Sequence, residues 1–259
     1  AAGSVGMFFF IPGIQGLLDA FGWRETLVIM ALLMAAIPFL SVGLRVKAAA
    51  VGAGAAQSLR EAVREARGHS GYLLLSLGFF VCGFHVTFIA THFPAYLADN
   101  DVSVTAAAYA MGVIGLFNVI GAYAFGAAGD RFRKKNVLTL IYGMRAILMT
   151  IILLVPINDT TAIIFGAALG LFWLATVPLT SGIVAQVFGT RHFSMLFGVV
   201  FMTHQIGGFA GAWLGGLIYD ATGSYDLMWA ISAGLGLTAA ALHWPISDQP
   251  LERLAEPTS

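Results

Sequence analysis

The chain has 259 residues, 59% of them hydrophobic and 10% charged, with 31 glycines and a formal net charge of zero. A mean hydropathy of +0.86 with so many small residues describes helices bundled in lipid, and the balanced charge gives no reason to expect a nucleic acid partner.

Eight apolar runs follow one another, at residues 1–18, 26–44, 72–97, 104–129, 137–155, 162–188, 195–219 and 227–246. All but the first have the ~20 residues that a helix rising 1.5 Å per residue needs to cross a ~30 Å hydrocarbon layer. They are apolar all round, whereas a solvated core would show striped helices. A backbone in lipid must satisfy its own N–H and C=O groups, so the runs are read as helices and the fold class as an all-α membrane protein.

The first run, AAGSVGMFFFIPG onward, opens without Met and already inside apolar sequence. It has no basic stretch before it and no small-residue cleavage site after it, so it is read as a membrane helix with further helices expected upstream. It ends GLLDAFG (residues 16–22), and the seventh run ends GLIYDATG (residues 216–223), a recurrence that predicts two parallel halves in tandem. The longest polar segment, 45–71, is the natural boundary between them. Within it Ser58-x-x-Glu61 forms a capping box, with Leu59, Ala62, Val63 and Ala66 on one face and Arg60, Arg64 and Arg67 on another. The pattern predicts a short amphipathic helix, either on the membrane surface or as a solvated linker.

The third run carries Cys82, His85 and His92. Cys82 is alone, forms no internal disulfide and reads as a small core residue. His85 and His92 are two helical turns apart and share a face; each imidazole can carry a proton, hydrogen-bond an anionic solute, or rest neutral against a neighbouring helix. The fifth run holds Arg145, the one permanent charge inside any run, roughly 14 Å past Asn136 at 1.5 Å per residue. Three partners are open to it: a carboxylate solute, an acid from outside this sequence, or helix-end carbonyls. The sixth run contains Trp173, Thr176, Thr180 and Ser181, with Pro178 expected to break the hydrogen-bond ladder and give a bend useful in gating. In the seventh, His204 and Gln205 sit at mid-depth, ahead of Gly207, Gly211 and Gly215. That small-residue stripe predicts close backbone contact, most simply with the fourth run.

Lysine and arginine fall almost wholly into every second loop. Arg45, Lys47, Arg60, Arg64 and Arg67, then Arg131, Arg133, Lys134 and Lys135, then Arg191 and Arg253, stand against Arg24 alone in the other set. This asymmetry predicts that the first set of loops and the C-terminus are cytoplasmic.

Between the fourth and fifth runs stands GAAGDRFRKKNVL, residues 126–138. It resembles the major facilitator superfamily loop G-x-L-x-D-R-x-G-R-K-x-x-L, which follows the second and eighth helices of that family. Gly126, Asp130, Arg131, Lys134, Lys135 and Leu138 match, while Ala128 and Arg133 replace the usual Leu and Gly. The resemblance implies the major facilitator fold, with about eight of an original twelve membrane helices. Residues 1–44 would then be the last two helices of the N-terminal half, 45–71 a cytoplasmic linker, 72–246 the C-terminal six-helix half, and 247–259 a cytoplasmic tail. It also implies an inner-gate role for Asp130 and Arg131, with Asp130 beside the N-terminus of the seventh run, near Phe193 to Met195.

The chain's start, together with residues 79–97 and 204–226, looks like the monocarboxylate and oxalate:formate branch of that superfamily. Eukaryotic relatives of the branch place an acid and an Arg where this chain has Asn118 and Ala122, and oxalate exchangers place a Lys where it offers His204. The implied substrate or proton residues are therefore His85, His92, Asn118, Arg145, Trp173, His204 and Gln205, with Asp130, Arg131 and Pro178 in gating. The expectation is a secondary transporter in the inner or plasma membrane. Its partners would be a small organic acid, a proton, the lipid bilayer and the missing N-terminal half; a drug or metabolite exporter and, further off, a seven-helix receptor are the alternatives. Enzyme chemistry is not expected, and neither is a metal or cofactor: there is no spaced His/Cys/Glu cluster, and the glycine string GGFAGAWLGG lies inside an apolar run that follows no strand.

Overall fold

The computed structural model describes residues 2–35, 37 and 57–254. The end of the second run, Arg45 and Lys47 of the expected linker, and the last five residues of the expected tail lie outside the described residues. Those described form α1 (Ala2–Ala35), α2 (Leu59–Gly68), α3 (Ser70–Asp99), α4 (Val104–Arg131), α5 (Lys134–Leu154), α6 (Asp159–Leu171), α7 (Thr176–Phe188), α8 (Phe193–Thr222) and α9 (Asp226–His243), followed by a 3-10 turn at Glu252–Leu254. No strand occurs among them.

Among the described residues five stretches are long and apolar enough to cross a membrane: α3, α4, α5, the α6–α7 stretch Asp159–Phe188, and α8. The eighth run forms α9, which has 18 residues. The first run and the described start of the second form α1, whose helix is broken at Gly22 with φ 77°. Gly223 ends α8 with φ 69°. Both copies of the recurring motif therefore finish on a glycine at positive φ, a conformation that a Cβ disfavours.

The helices pair α3 with α8, α4 with α6 and α5 with α9, while α1 lies along α4. In lipid the drive for such pairing is close packing rather than release of water, so small residues decide which faces meet. A Cβ on Gly83 would stand 1.8 Å from the His204 carbonyl oxygen, one on Gly207 2.0 Å from that of Phe80, and one on Gly211 2.3 Å from that of Phe84. The stripe on α8 thus meets the third run, not the fourth as expected from the sequence, because α3 is the neighbour whose backbone it touches. Gly121 against the Leu171 carbonyl (1.8 Å) and Gly166 against that of Ala110 (2.4 Å) bring α6 onto α4 in the same way.

The expected capping box is formed. Ser58 Oγ accepts the Glu61 N–H at 3.3 Å and Glu61 Oε2 accepts the Ser58 N–H at 2.8 Å, starting α2. Ala62 and Ala66 of α2 are buried, and Glu65 pairs with Arg253 at 2.8 Å. The helix is docked on the protein by one face while Arg60, Arg64 and Arg67 stay exposed on another.

Candidate functional site

Two apolar clusters fill the bundle, and helix after helix passes from one to the other at a polar residue. Along α3 the change comes between Cys82 and Phe84, just before His85; along α5 between Tyr142 and Leu148, at Arg145; along the sixth run between Trp173 and Ala175, in the gap separating α6 from α7. Asn118 on α4 and His204 on α8 occupy the same step. Polar groups in such a layer are costly unless each finds a partner.

The gap is where most of them find one. Residues 172–175 are not helical, so the backbone groups there lack the usual ladder. Arg145 Nε and Nη2 donate to the Phe172 carbonyl at 3.0 and 2.6 Å, and Nη2 also donates to the Trp173 carbonyl. From the other side Asn118 Oδ1 accepts the Leu174 N–H at 2.8 Å. Of the three partners open to Arg145, the structure shows helix-end carbonyls: the guanidinium sits at the C-terminus of α6, the negative end of that helix dipole. It also lies 5.4 Å from the centre of the Tyr142 ring. Arg145 is 1% exposed and Asn118 1%, so both are enclosed by α3–α9 rather than open on a cavity. Arg145 Nη1 has no hydrogen-bond partner among the described residues.

Pro178 does not make this gap. It lies in the first turn of α7, where its missing N–H leaves no helical bond unmade, and the interruption falls before it. The interruption of the helix lies at residues 172–175, ahead of the proline and beside side chains of α4 and α5.

The histidines separate. His85 Nε2 donates to the Ser232 carbonyl of α9 at 2.8 Å and is 1% exposed. His92 sits over Gly215, with Nε2 2.8 Å from the Ala212 carbonyl and Nδ1 3.2 Å from the Tyr225 hydroxyl. Both stitch α3 to its neighbours. His204 is 8% exposed, its Nδ1 3.1 Å from Oε1 of the exposed Gln205, and it lies beside Cys82. Cys82 is fully buried, as expected, yet its Sγ is 3.1 Å from the Thr176 hydroxyl at the start of α7. Trp173 is buried in the apolar cluster that also holds Phe165 and Trp229.

Asp130 and Arg131 end α4 and are exposed. They border a groove of about 410 Å³ shared with Arg133, Lys134, Gln186 and Asp248. Phe193 to Met195, where the sequence placed Asp130, do not line it. At the same end Arg133 pairs with Asp248 at 2.5 Å, Lys135 donates to the Trp244 carbonyl at 2.9 Å, and Gln186 donates to the Asp248 carbonyl at 2.7 Å.

Sequence reasoning passed over Tyr142 and His243, which stack at 4.8 Å inside the bundle. Tyr142 carries a readable signal, being one helical turn before Arg145. His243 carries none, since the space for its ring is made by Gly78 far away in sequence, where a Cβ would stand 2.0 Å from it. Among the described residues no group of His, Cys, Asp and Glu could hold a metal ion.

The family model described as Major Facilitator Superfamily matches residues 1–165 and residues 75–258. The uncharacterized MFS-type transporter YcxA of Bacillus subtilis is 27% identical over 88% of this chain and 58% of its own length. Monocarboxylate transporter 13 of Rattus norvegicus is 24% identical over 92% of this chain and 56% of its own. Monocarboxylate transporter 12 of Mus musculus is 29% identical over 60% of this chain and 34% of its own. The chain thus spans little more than half the length of the curated relatives it matches most fully.

Proposed function

Because the chain belongs to the major facilitator superfamily, we propose that it works within a secondary transporter that carries a small organic anion of the monocarboxylate class by alternating access. The observation that carries this reading is the chemistry of the mid-depth layer. It contains a guanidinium and two imidazoles, and the acids of α3–α9 all stand at helix ends: Asp99, Asp130, Asp159, Asp220 and Asp226. A layer of that sign favours an anionic solute over a cationic one. The likeness to monocarboxylate transporters 12 and 13 points the same way.

In this reading residues 1–44 belong to one six-helix half and 72–246 form the other, joined through 45–71, and the end carrying Arg131 to Lys135 and Arg253 faces the cytoplasm. His204, next to the exposed Gln205, is the proton carrier. His85 and His92 are spent on carbonyls of α9 and α8, and Arg145 lends its charge to the layer while its hydrogen bonds go to α6. Asp130 and Arg131 act at the inner gate.

The test is uptake of labelled lactate, pyruvate and oxalate into proteoliposomes holding the complete transporter, with and without an inward proton gradient. At least one anion should accumulate above protein-free vesicles, and His204→Ala should abolish the response to the gradient while His85→Ala keeps it. Failure of all three anions to enter would remove the organic-anion reading, and efflux of an amphipathic drug in its place would favour an exporter.

A further inference from the structure

The gap between α6 and α7 has an unusual hydrogen-bond inventory. The Phe172 and Trp173 N–H groups bond back to Leu169 and Gly170, and the Leu174 carbonyl accepts from Val177. The remaining groups of the gap with named partners, the Phe172 and Trp173 carbonyls and the Leu174 N–H, are held only by side chains of other helices, Arg145 on α5 and Asn118 on α4. A helix crossing lipid has no water to fall back on, so these two side chains decide whether the gap keeps its shape. Gly121, one turn past Asn118, lets the end of α6 come close enough for that reach: its missing Cβ is replaced by the Leu171 carbonyl oxygen.

We propose that residues 172–175 are a latched joint in the sixth membrane crossing, that Arg145 and Asn118 are the two halves of the latch, and that they act as positioning residues rather than as contacts to the transported solute. Opening the joint breaks the Asn118–Leu174 bond and the Arg145–carbonyl bonds together, and α7 can then tilt relative to α6 without either helix unwinding. Pro178 suits this motion: with no N–H, it adds nothing to the single bond that Val177 makes from α7 to the Leu174 carbonyl. The clamp also couples three helices, since α4 and α5 each hold one side of the gap and must part from it when it opens.

The experiment labels the joint directly. In a Cys82→Ser background of the complete transporter, a cysteine replacing Leu174 is treated with a membrane-permeant maleimide, with a cysteine replacing the exposed Thr160 as control. Asn118→Ala should raise the labelling rate at 174 by about tenfold, the factor that loss of one such hydrogen bond gives, and Arg145→Gln by at least as much. Asn118→Asp, which keeps the acceptor oxygen, should restore the slow rate, and the Thr160 control should label equally throughout. Equal labelling at 174 in parent and Asn118→Ala would overturn the proposal. A rise at the control site as well would mean general loosening rather than a joint, and would overturn it too. Transport supplies a second readout: both variants should lower the maximal rate with the half-saturating solute concentration unchanged, whereas a role in solute binding would raise that concentration. Labelling needs no solute, so its outcome stands apart from whether the carried species is an organic anion.

Discussion

The same functional group is used twice in this bundle to opposite effect. At mid-depth Arg145, 1% exposed, meets two backbone carbonyls and the Tyr142 ring. At the basic end Arg133 and Arg253, with side chains 52% and 34% exposed, meet the carboxylates of Asp248 and Glu65. A full ion pair looks stronger on paper than a guanidinium on carbonyls. Yet charge interactions near water are screened and contribute little, whereas in a dry layer a polar group left without a partner is expensive. The difference teaches that redundancy follows depth. The basic end is laced by many exchangeable contacts, with Lys135 on Trp244, Gln186 on Asp248, and Arg253 on both Glu65 and the Phe188 carbonyl. The joint depends on two side chains.

The contrast can be broken first where packing leaves no freedom at all. Gly207→Leu drives a side chain into the Phe80 carbonyl and should cost about 3 kcal/mol or more, seen as loss of the monodisperse fraction in detergent. Next, Arg145→Gln should lower stability by roughly 2–3 kcal/mol, as expected when charged hydrogen bonds are removed from a buried site, read from the thermal unfolding midpoint. Asp248→Asn should do much less to that midpoint, and its effect should fade as salt rises. A fall equal to that of Arg145→Gln would mean that depth is not what separates the two regions.

The smallest effect concerns acid. The hydrogen bond from Arg253 holds the Glu65 carboxyl below its ordinary value, against a smaller opposing push from burial. A carboxylate depressed in the folded state adds stability above its unfolded pKa, and that stability is lost as pH falls through the lower folded value. Amide exchange at Leu251, whose N–H is bonded to the Val187 carbonyl beside this pair, should therefore speed up relative to its intrinsic rate only below the ordinary carboxylate range of about 4. Glu65→Gln should remove that dependence.

The membrane runs, their order and the α2 capping box could be read from the chain because each depends on neighbours within a few residues. Arg145 was recognisable as a problem from its depth, and helix-end carbonyls were among its candidate solutions. Which carbonyls they are depends on a gap whose position Pro178 misreports, since proline marks where a ladder bond is missing and not where other helices pull the backbone out. Asn118 entered only through the resemblance, because an amide within an apolar run carries no sign of what it faces. The partner of the glycine stripe was misassigned for a related reason: spacing shows that a backbone will come close but is silent on whose. His243 and Gly78 lie far apart in the sequence, and nothing local to either announces the other.

The contact of α3 with α8 has a mechanical consequence. At Gly83, Gly207 and Gly211 the two backbones touch with no side chain between them, so there is nothing compressible to absorb a change of crossing angle. Sliding either helix along the other would drive carbonyl oxygens into Cα atoms at three successive levels. The pair must therefore travel through any cycle as one stiff beam, leaving shape change to its neighbours, and a residue on α8 reports the displacement of α3 as faithfully as one on α3 itself.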